Sequence, residues 1–373
     1  CIPITQTNSS CEMVEVNLQT PSARVGDGRI LSPDLWRILL TGGFGGILIS
    51  LMFATLMFGP VFLSTATIMD VLLGEGEPVA TAIIMQIRLP RMVLGIVVGV
   101  SLALSGAALQ GMLRNPLADP GLVGVSSGAS IGAVGTIVLG TLFLQDFPAE
   151  IRAYVLPSAA FVGALLVTLF VFRISKRAGS TSVATLILAG VAVTAVAEAF
   201  IGVMTFISDD QQLRDLSFWR MGGLGQADWL SVGIASGAIL FASVFLLRMA
   251  RALDLFQLGE AAAFHAGLSV ETSKRRVAVC SALAVGAGTA VAGPISFIGL
   301  VAPHIARLCV GPSYRFIVPA AAIIGAALVT GADLMVRNIV PPAEPPIGIA
   351  TSLIGGPFFL WLLLTRMKGR HHA

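Results

Sequence analysis

The sequence predicts an all-α polytopic membrane protein with ten transmembrane helices and both termini in the cytoplasm. Three observations predict it. The 373 residues are 55% hydrophobic and only 12% charged, with a mean hydropathy of +0.89; a soluble domain carries roughly twice that charged fraction. Ten apolar segments recur along the chain, most of them near the ~20 residues a helix needs to cross the hydrocarbon core. Lys and Arg divide unevenly between alternate connections, and that asymmetry sets orientation.

Residues 1–35 are polar, hold no long apolar run and do not resemble a secretory signal, so they are expected to form a disordered cytoplasmic lead. Residues 36–373 are expected to form one membrane domain. The apolar spans lie near 38–59, 91–113, 120–141, 152–173, 182–207, 228–248, 276–293, 295–311, 315–336 and 347–365. The seventh and eighth are short and meet at Gly293-Pro294, where proline cannot continue the helix ladder and a break is expected. With the N-terminus inside, the inner segments hold 17 of the 23 Lys and Arg residues. The other six, Arg88, Arg91, Arg152, Arg214, Arg220 and Arg337, fall outside. The four tryptophans lie near span ends, where amphipathic rings prefer to sit.

Two connections are long enough to have a structure of their own. Residues 60–90 are mixed and partly apolar, and are expected to fold back against the outer mouth. Residues 249–275 form the longest inner connection. Within it, Leu258, Gly259, Glu260, Ala261, Phe264, His265, Gly267 and Leu268 read as a short helix stopped at Gly267 and then restarted. Such a segment suits docking of a cytoplasmic partner.

Composition excludes several functions. A net charge of +3 gives no nucleic-acid surface. There is no GxxxxGK[ST] phosphate loop, so the chain is not expected to hydrolyse nucleotide, and no HExxH or GxSxG pattern. Cys1, Cys11, Cys280 and Cys309 show no metal-ligand spacing, and the four histidines all fall on the inner side.

Several motifs remain. Arg88-Leu-Pro-Arg91 places two cations at an outer span end, with Arg337 on the same face one turn after Asp333. Snorkelling would account for one such residue; three together suit carboxylates on a soluble partner. Asn115-Pro-Leu-Ala-Asp-Pro-Gly121, including Leu117, is a stiff inner turn, and Thr181 and Ser182 open the fifth span as a helix cap. His304 and Arg307 share one helix face and tie a span to its loop. Glu198 lies inside the fifth span, where a carboxylate is a functional candidate on physical grounds; it could line a wet vestibule or pair with a buried group. An ion-coupled secondary transporter would favour paired carboxylates at the midplane, and Glu198 is the clear candidate in the sequence. An intramembrane enzyme would need a catalytic constellation that the sequence lacks.

At these residues the chain resembles the FecCD family of ABC-importer permeases, the importers of haem, iron–siderophore and cobalamin. The resemblance rests on Arg88-Leu-Pro-Arg91, Ser105-Gly-Ala-Ala-Leu-Gln110, Asn115-Pro-Leu-Ala-Asp-Pro-Gly121, Leu258-Gly-Glu260, Gly299-Leu-Val-Ala-Pro-His304 with Arg307, and Glu344 with Pro346-Ile-Gly348, in family order from about residue 36 onward. It implies a permease of the bacterial inner membrane, working as a homodimer with two ATPase subunits inside and one periplasmic substrate-binding protein outside. It assigns binding-protein docking to Arg88, Arg91 and Arg337, inner constrictions to Asn115, Leu117, Thr181 and Ser182, and ATPase coupling to Leu258–Leu268. No cofactor is implied as a permanent resident; ATP is used by the partner. Asp119-Pro-Gly-Leu-Val-Gly-Val-Ser-Ser-Gly-Ala129 looks closest to haem importers, making haem the expected cargo.

Overall fold

The computed structural model describes residues 32–144, 147–177, 180–339 and 344–369. The first 31 residues of the expected lead, Gly179 and the terminal Arg370, His371 and His372 lie outside them. The first helix, α1 (Pro33–Met57), is capped by Ser32, whose hydroxyl accepts from the Leu35 amide at 3.3 Å. Two short helices follow, α2 (Thr65–Leu73) and α3 (Pro78–Ala82), then a π-helical turn, Ile83–Arg88, that runs into α4 (Leu89–Leu113). A 3-10 turn, Pro120–Val123, leads to α5 (Val125–Phe143) and α6 (Ala149–Ile174). A hairpin of β1 (Lys176–Arg177) and β2 (Ser180–Thr181), antiparallel with Lys176 opposite Thr181, precedes α7 (Val183–Ile207). The order continues as α8 (Asp210–Met221), α9 (Trp229–Arg248), α10 (Ala250–Gln257), α11 (Glu260–His265), α12 (Val270–Ala292), α13 (Ile298–Val310), α14 (Tyr314–Ile339) and α15 (Ile347–Gly369).

All ten apolar segments are helical. By length and hydropathy seven helical stretches among the described residues suffice to cross a membrane: α1, the continuous α3–α4 stretch, α6, α7, α9, α12 and α14. The apolar parts of α5, α13 and α15 are shorter, Val125–Gly140, Ile298–Val310 and Ile347–Leu362. Two of these have a visible cause. The turn before α5 folds back between the helices, so that Asp119 and Pro120 lie against Gly299. The start of α13 is delayed by the break at Gly293-Pro294, with Gly293 at φ +67° and Phe297 at φ +68°. The chain is a polytopic helical membrane protein.

Helix α4 is the hub. Its side chains are buried along almost its whole length, and α9, α12, α13 and α14 pack around it. Bilayer lipid offers no hydrophobic drive between helices, so small residues that admit close backbone approach hold such a bundle. A Cβ at Gly99 would strike the Gly325 carbonyl of α14, and one at Gly128 would strike that of Gly163, joining α5 to α6. The expected fold-back of residues 60–90 is α2, α3 and the π turn, whose Ile68, Val71, Ala80 and Ile84 pack with Leu56 and Met92. The wide turn has a local reason: Pro90 lacks an N–H and crowds the carbonyl four residues back, which a π turn accommodates.

Successive long helices alternate in direction. The Arg91 end of α4 meets the last turns of α1 and α14, which also bond each other. The other end meets α10, where the Gln257 side chain donates to the Gly111 carbonyl at 3.0 Å. The bundle thus has an Arg91 end and an opposite, Lys274 end.

Candidate functional site

At the Arg91 end, three arginines staple three helices. The Arg88 guanidinium donates to the carbonyls of Leu56 and Val61, closing the end of α1. Arg91 reaches across to α14, with Nη2 at 2.8 Å and Nε at 3.0 Å from Asp333 Oδ1, while Nη1 lies 2.6 Å from Glu344. Arg337 Nε lies 3.2 Å from Asp333 Oδ2, and its Nη2 donates to the Thr55 carbonyl at 3.4 Å. Asp333 therefore serves two cations. The expectation that these guanidiniums face outward is corrected: Arg88, Arg91 and Arg337 are 4%, 6% and 4% exposed. The reason is electrostatic. A guanidinium removed from water needs partners, and Asp333, Glu344 and the carbonyls of α1 and the loop after it supply them within the chain.

At this end lies a cavity of about 810 Å³, lined by Arg91, Asp333 and Glu344 together with Arg152, Asp215 and Trp219. Glu198 stands apart from the three arginines. It pairs with Arg220 on α8 at 3.0 Å, with both side chains partly exposed. Sequence spacing hides this partner, because α7 and α8 meet only after the chain turns at Ser208, where Asp209 and Gln212 form a capping box. At the start of α9, the Asp228 carboxylate caps the helix by accepting from the Leu230 and Ser231 amides, both at 3.0 Å.

At the Lys274 end, the expected docking segment is the short helix α11 between Gly259 (φ +101°) and Gly267 (φ +86°). Ala263 is its buried foot, while Leu258 and Phe264 are 70% and 68% exposed. Ala261 and His265 are also exposed, and the His265 ring lies edge-on to Phe264 at 5.8 Å. Leu268 is half-buried against the core. Next to this helix is the turn with Asn115 and Leu117. Arg114 ends α4 in the left-handed region at φ +49°, and its guanidinium borders Gly259. The Asn115 side chain accepts from the Leu117 amide at 2.9 Å, and Leu117 is exposed. Asp119 accepts from the Gly121 amide at 2.8 Å; burial pushes its carboxyl up, and that hydrogen bond pulls it part of the way back.

Thr181 and Ser182 lie where β2 enters α7. Ser182 caps α7 by accepting from the Thr185 amide at 3.3 Å. Thr181 is held by α12: its amide and hydroxyl donate to Glu271 at 3.0 and 2.7 Å, and its carbonyl accepts from Lys274 Nζ at 2.9 Å. The same ammonium lies 2.8 Å from Glu260 and 3.3 Å from Glu271. Sequence reasoning places Lys274 only among the inner basic residues. The available signal was the Glu271–Lys274 spacing of three on a helix; the partners Thr181 and Glu260 are legible only in three dimensions. Further along, Arg307 donates to the Tyr314 hydroxyl at 2.9 Å, tying α13 to α14, and Asp254 of α10 accepts from the Tyr314 amide at 2.7 Å. Both ends are thus charge-paired latches on helix ends, chemistry suited to holding or releasing a path.

Comparison with known proteins agrees with this architecture. The FecCD transport family model matches residues 47–365. The hemin transport system permease protein HmuU of Yersinia pestis is 46% identical over 286 residues, covering 77% of this chain and 84% of that protein. The cobalamin import system permease protein BtuC of Halobacterium salinarum is 42% identical over 290 residues, 77% of this chain and 74% of that one. A solved inward-facing conformation of a metal-chelate type ABC transporter superposes with a TM-score of 0.78 at 30% identity, covering 88% of this chain and 99% of that chain. With the family's motifs placed at the two ends of one alternating helix bundle, the chain belongs to the FecCD transport family and is a permease of the ABC-importer type.

Proposed function

We propose that this permease carries haem across the bacterial inner membrane by alternating access, driven by separate ATPase subunits. In this reading all ten apolar helices cross the membrane, both termini are cytoplasmic, the Arg91 end faces outward and the Lys274 end inward. Two copies form the path between them, two ATPases dock inside, and a periplasmic substrate-binding protein docks outside. The observation that carries the coupling role is the segment of α11, a short helix that exposes Phe264, with Leu258 exposed just before it, while Ala263 and Glu260 anchor it to the bundle. Asn115 and Leu117, with Thr181 and Ser182, form the inner constrictions. Arg88, Arg91 and Arg337 serve binding-protein docking from beneath, by fixing the three helix ends and the partly exposed Glu344 that the partner meets.

The support for haem is the hemin permease at 46% identity. A second reading, a corrinoid of the cobalamin class, is supported by a relative at 42%. Uptake decides between them. Proteoliposomes containing the permease, its ATPase and its binding protein should take up haem with ATP at least about tenfold faster than ferric siderophore or cobalamin, a difference of ~1.4 kcal/mol in selectivity. Faster cobalamin uptake would transfer the assignment to the second reading.

A further inference from the structure

The Lys274 ammonium is 2% exposed and has three N–H groups to satisfy. It finds three acceptors on three different parts of the fold: Glu260 on α11, Glu271 on its own helix α12, and the Thr181 carbonyl at the end of β2. Thr181 in turn commits its amide, hydroxyl and carbonyl to Glu271 and Lys274. The docking helix and the hairpin that opens α7 are 79 residues apart in sequence between Thr181 and Glu260, yet one side chain bonds both.

We infer that Lys274 is the positioning residue that transmits movement of the docking helix to the inner constriction at Thr181 and Ser182. The inference rests on the reading of α11 as the ATPase-docking helix and of Thr181–Ser182 as a constriction, and adds the physical connection between them. A buried ammonium cannot leave one carboxylate without a replacement partner, because an unpaired charge in this environment is strongly disfavoured. When α11 shifts with the ATPase, Glu260 pulls Lys274, and Lys274 carries the Thr181 carbonyl with it. Glu271 keeps the ammonium on α12 during the shift, and its own bonds to the Thr181 amide and hydroxyl make the end of the hairpin follow as one body. A second, weaker tie runs to the other constriction, through Gln257 to the Gly111 carbonyl and through Arg114 beside Gly259. The element that both sites bias is thus the hairpin end, which is the requirement for coupling between two sites.

The test follows the constriction directly and does not depend on the cargo. In the full permease with its native cysteines replaced, Ser180→Cys places one thiol on the exposed side of β2, next to Thr181. Its rate of labelling by a water-soluble maleimide is measured in the complex with the ATPase, with and without ATP, alongside the affinity for the ATPase. In the parent chain, ATP is expected to change the rate by about tenfold, within the usual range of coupling between sites. Lys274→Met should abolish that ATP dependence while ATPase affinity stays unchanged, and Lys274→Arg should restore most of it. A purely structural role would leave the nucleotide dependence in place, so labelling that still tracks ATP in Lys274→Met overturns the inference. Should Lys274→Met fail to reach the membrane, Glu271→Gln, at a partly exposed partner, decides by the same criterion. A parent chain whose labelling ignores bound ATPase and ATP would instead overturn the docking-and-constriction reading.

Discussion

Arg91 illustrates how a residue can be conspicuous in sequence and serve differently in the fold. Its spacing from Arg88 and its place at a span end suggest a cation offered to a partner. In the structure it is buried and bidentate to Asp333, with Glu344 on its remaining nitrogen. Removing one member of a buried pair leaves the other charged and uncompensated, which costs about 3–5 kcal/mol. Arg91→Ala is therefore expected to lower the detergent-solubilised permease's thermal unfolding midpoint clearly, and Arg91→Ala/Asp333→Ala together should cost less than the sum of the two single changes, although Asp333→Ala also strips Arg337 of its carboxylate. A double variant as damaged as the sum of the singles would show that the pair does not interact. Glu198 teaches the reverse lesson: conspicuous as a carboxylate within an apolar helix, it pairs with Arg220 at the partly exposed junction of α7 and α8. That placement does not suit the proton-carrying site a secondary transporter would need.

At the scale of elements, helix α4 owes its central place to small residues rather than to an amphipathic stripe. Gly99 on α4 faces Gly325 on α14 so closely that no Cβ fits between them. Gly99→Val should force the two helices apart and destabilise by about 1–3 kcal/mol, as overpacking of a tight interface does. The expected readout is a lower unfolding midpoint, and a smaller loss for Gly46→Val on α1, where nothing lies within contact of a new Cβ. Equal losses at the two positions would refute the close-packing account. The short elements follow local rules. Pro90 sets the π turn before α4, Ser32, Ser64 and Asp209 cap their helices, and Gly259 and Gly267 bound α11 with positive φ.

For the whole molecule, the two ends of the bundle differ in their chemistry. The Arg91 end is clamped by buried ion pairs that help to line a cavity of about 810 Å³. The Lys274 end presents Phe264 on α11, and Leu258 just before it, to solvent, on a helix held by buried Ala263 and by Glu260 paired to Lys274. Exposed aromatic anchors on a projecting element are where docking energy concentrates. Phe264→Ala is thus expected to weaken ATPase association by about tenfold or more, with insertion and the unfolding midpoint unchanged; wild-type affinity in a titration of the purified variant with the ATPase would remove α11 from the docking surface.

The amino-acid sequence was sufficient for the class, the positions of all ten apolar helices, the break at Gly293-Pro294 and the short helix before Gly267, because each follows from hydropathy over a window or from the local stereochemistry of Gly and Pro. It also carried the family, through motifs spread from Arg88 to Gly348. Which charges become partners depends on how the helices pack in three dimensions. Arg91 lies 242 residues from Asp333, Lys274 is 93 from the Thr181 carbonyl, and Arg220 is 22 from Glu198. No periodicity links such positions. Their pairing is settled when helices pack and the bilayer or the interior removes water, since a charge taken out of water is stable only beside whatever counter-charge or carbonyl the neighbouring helices bring to it.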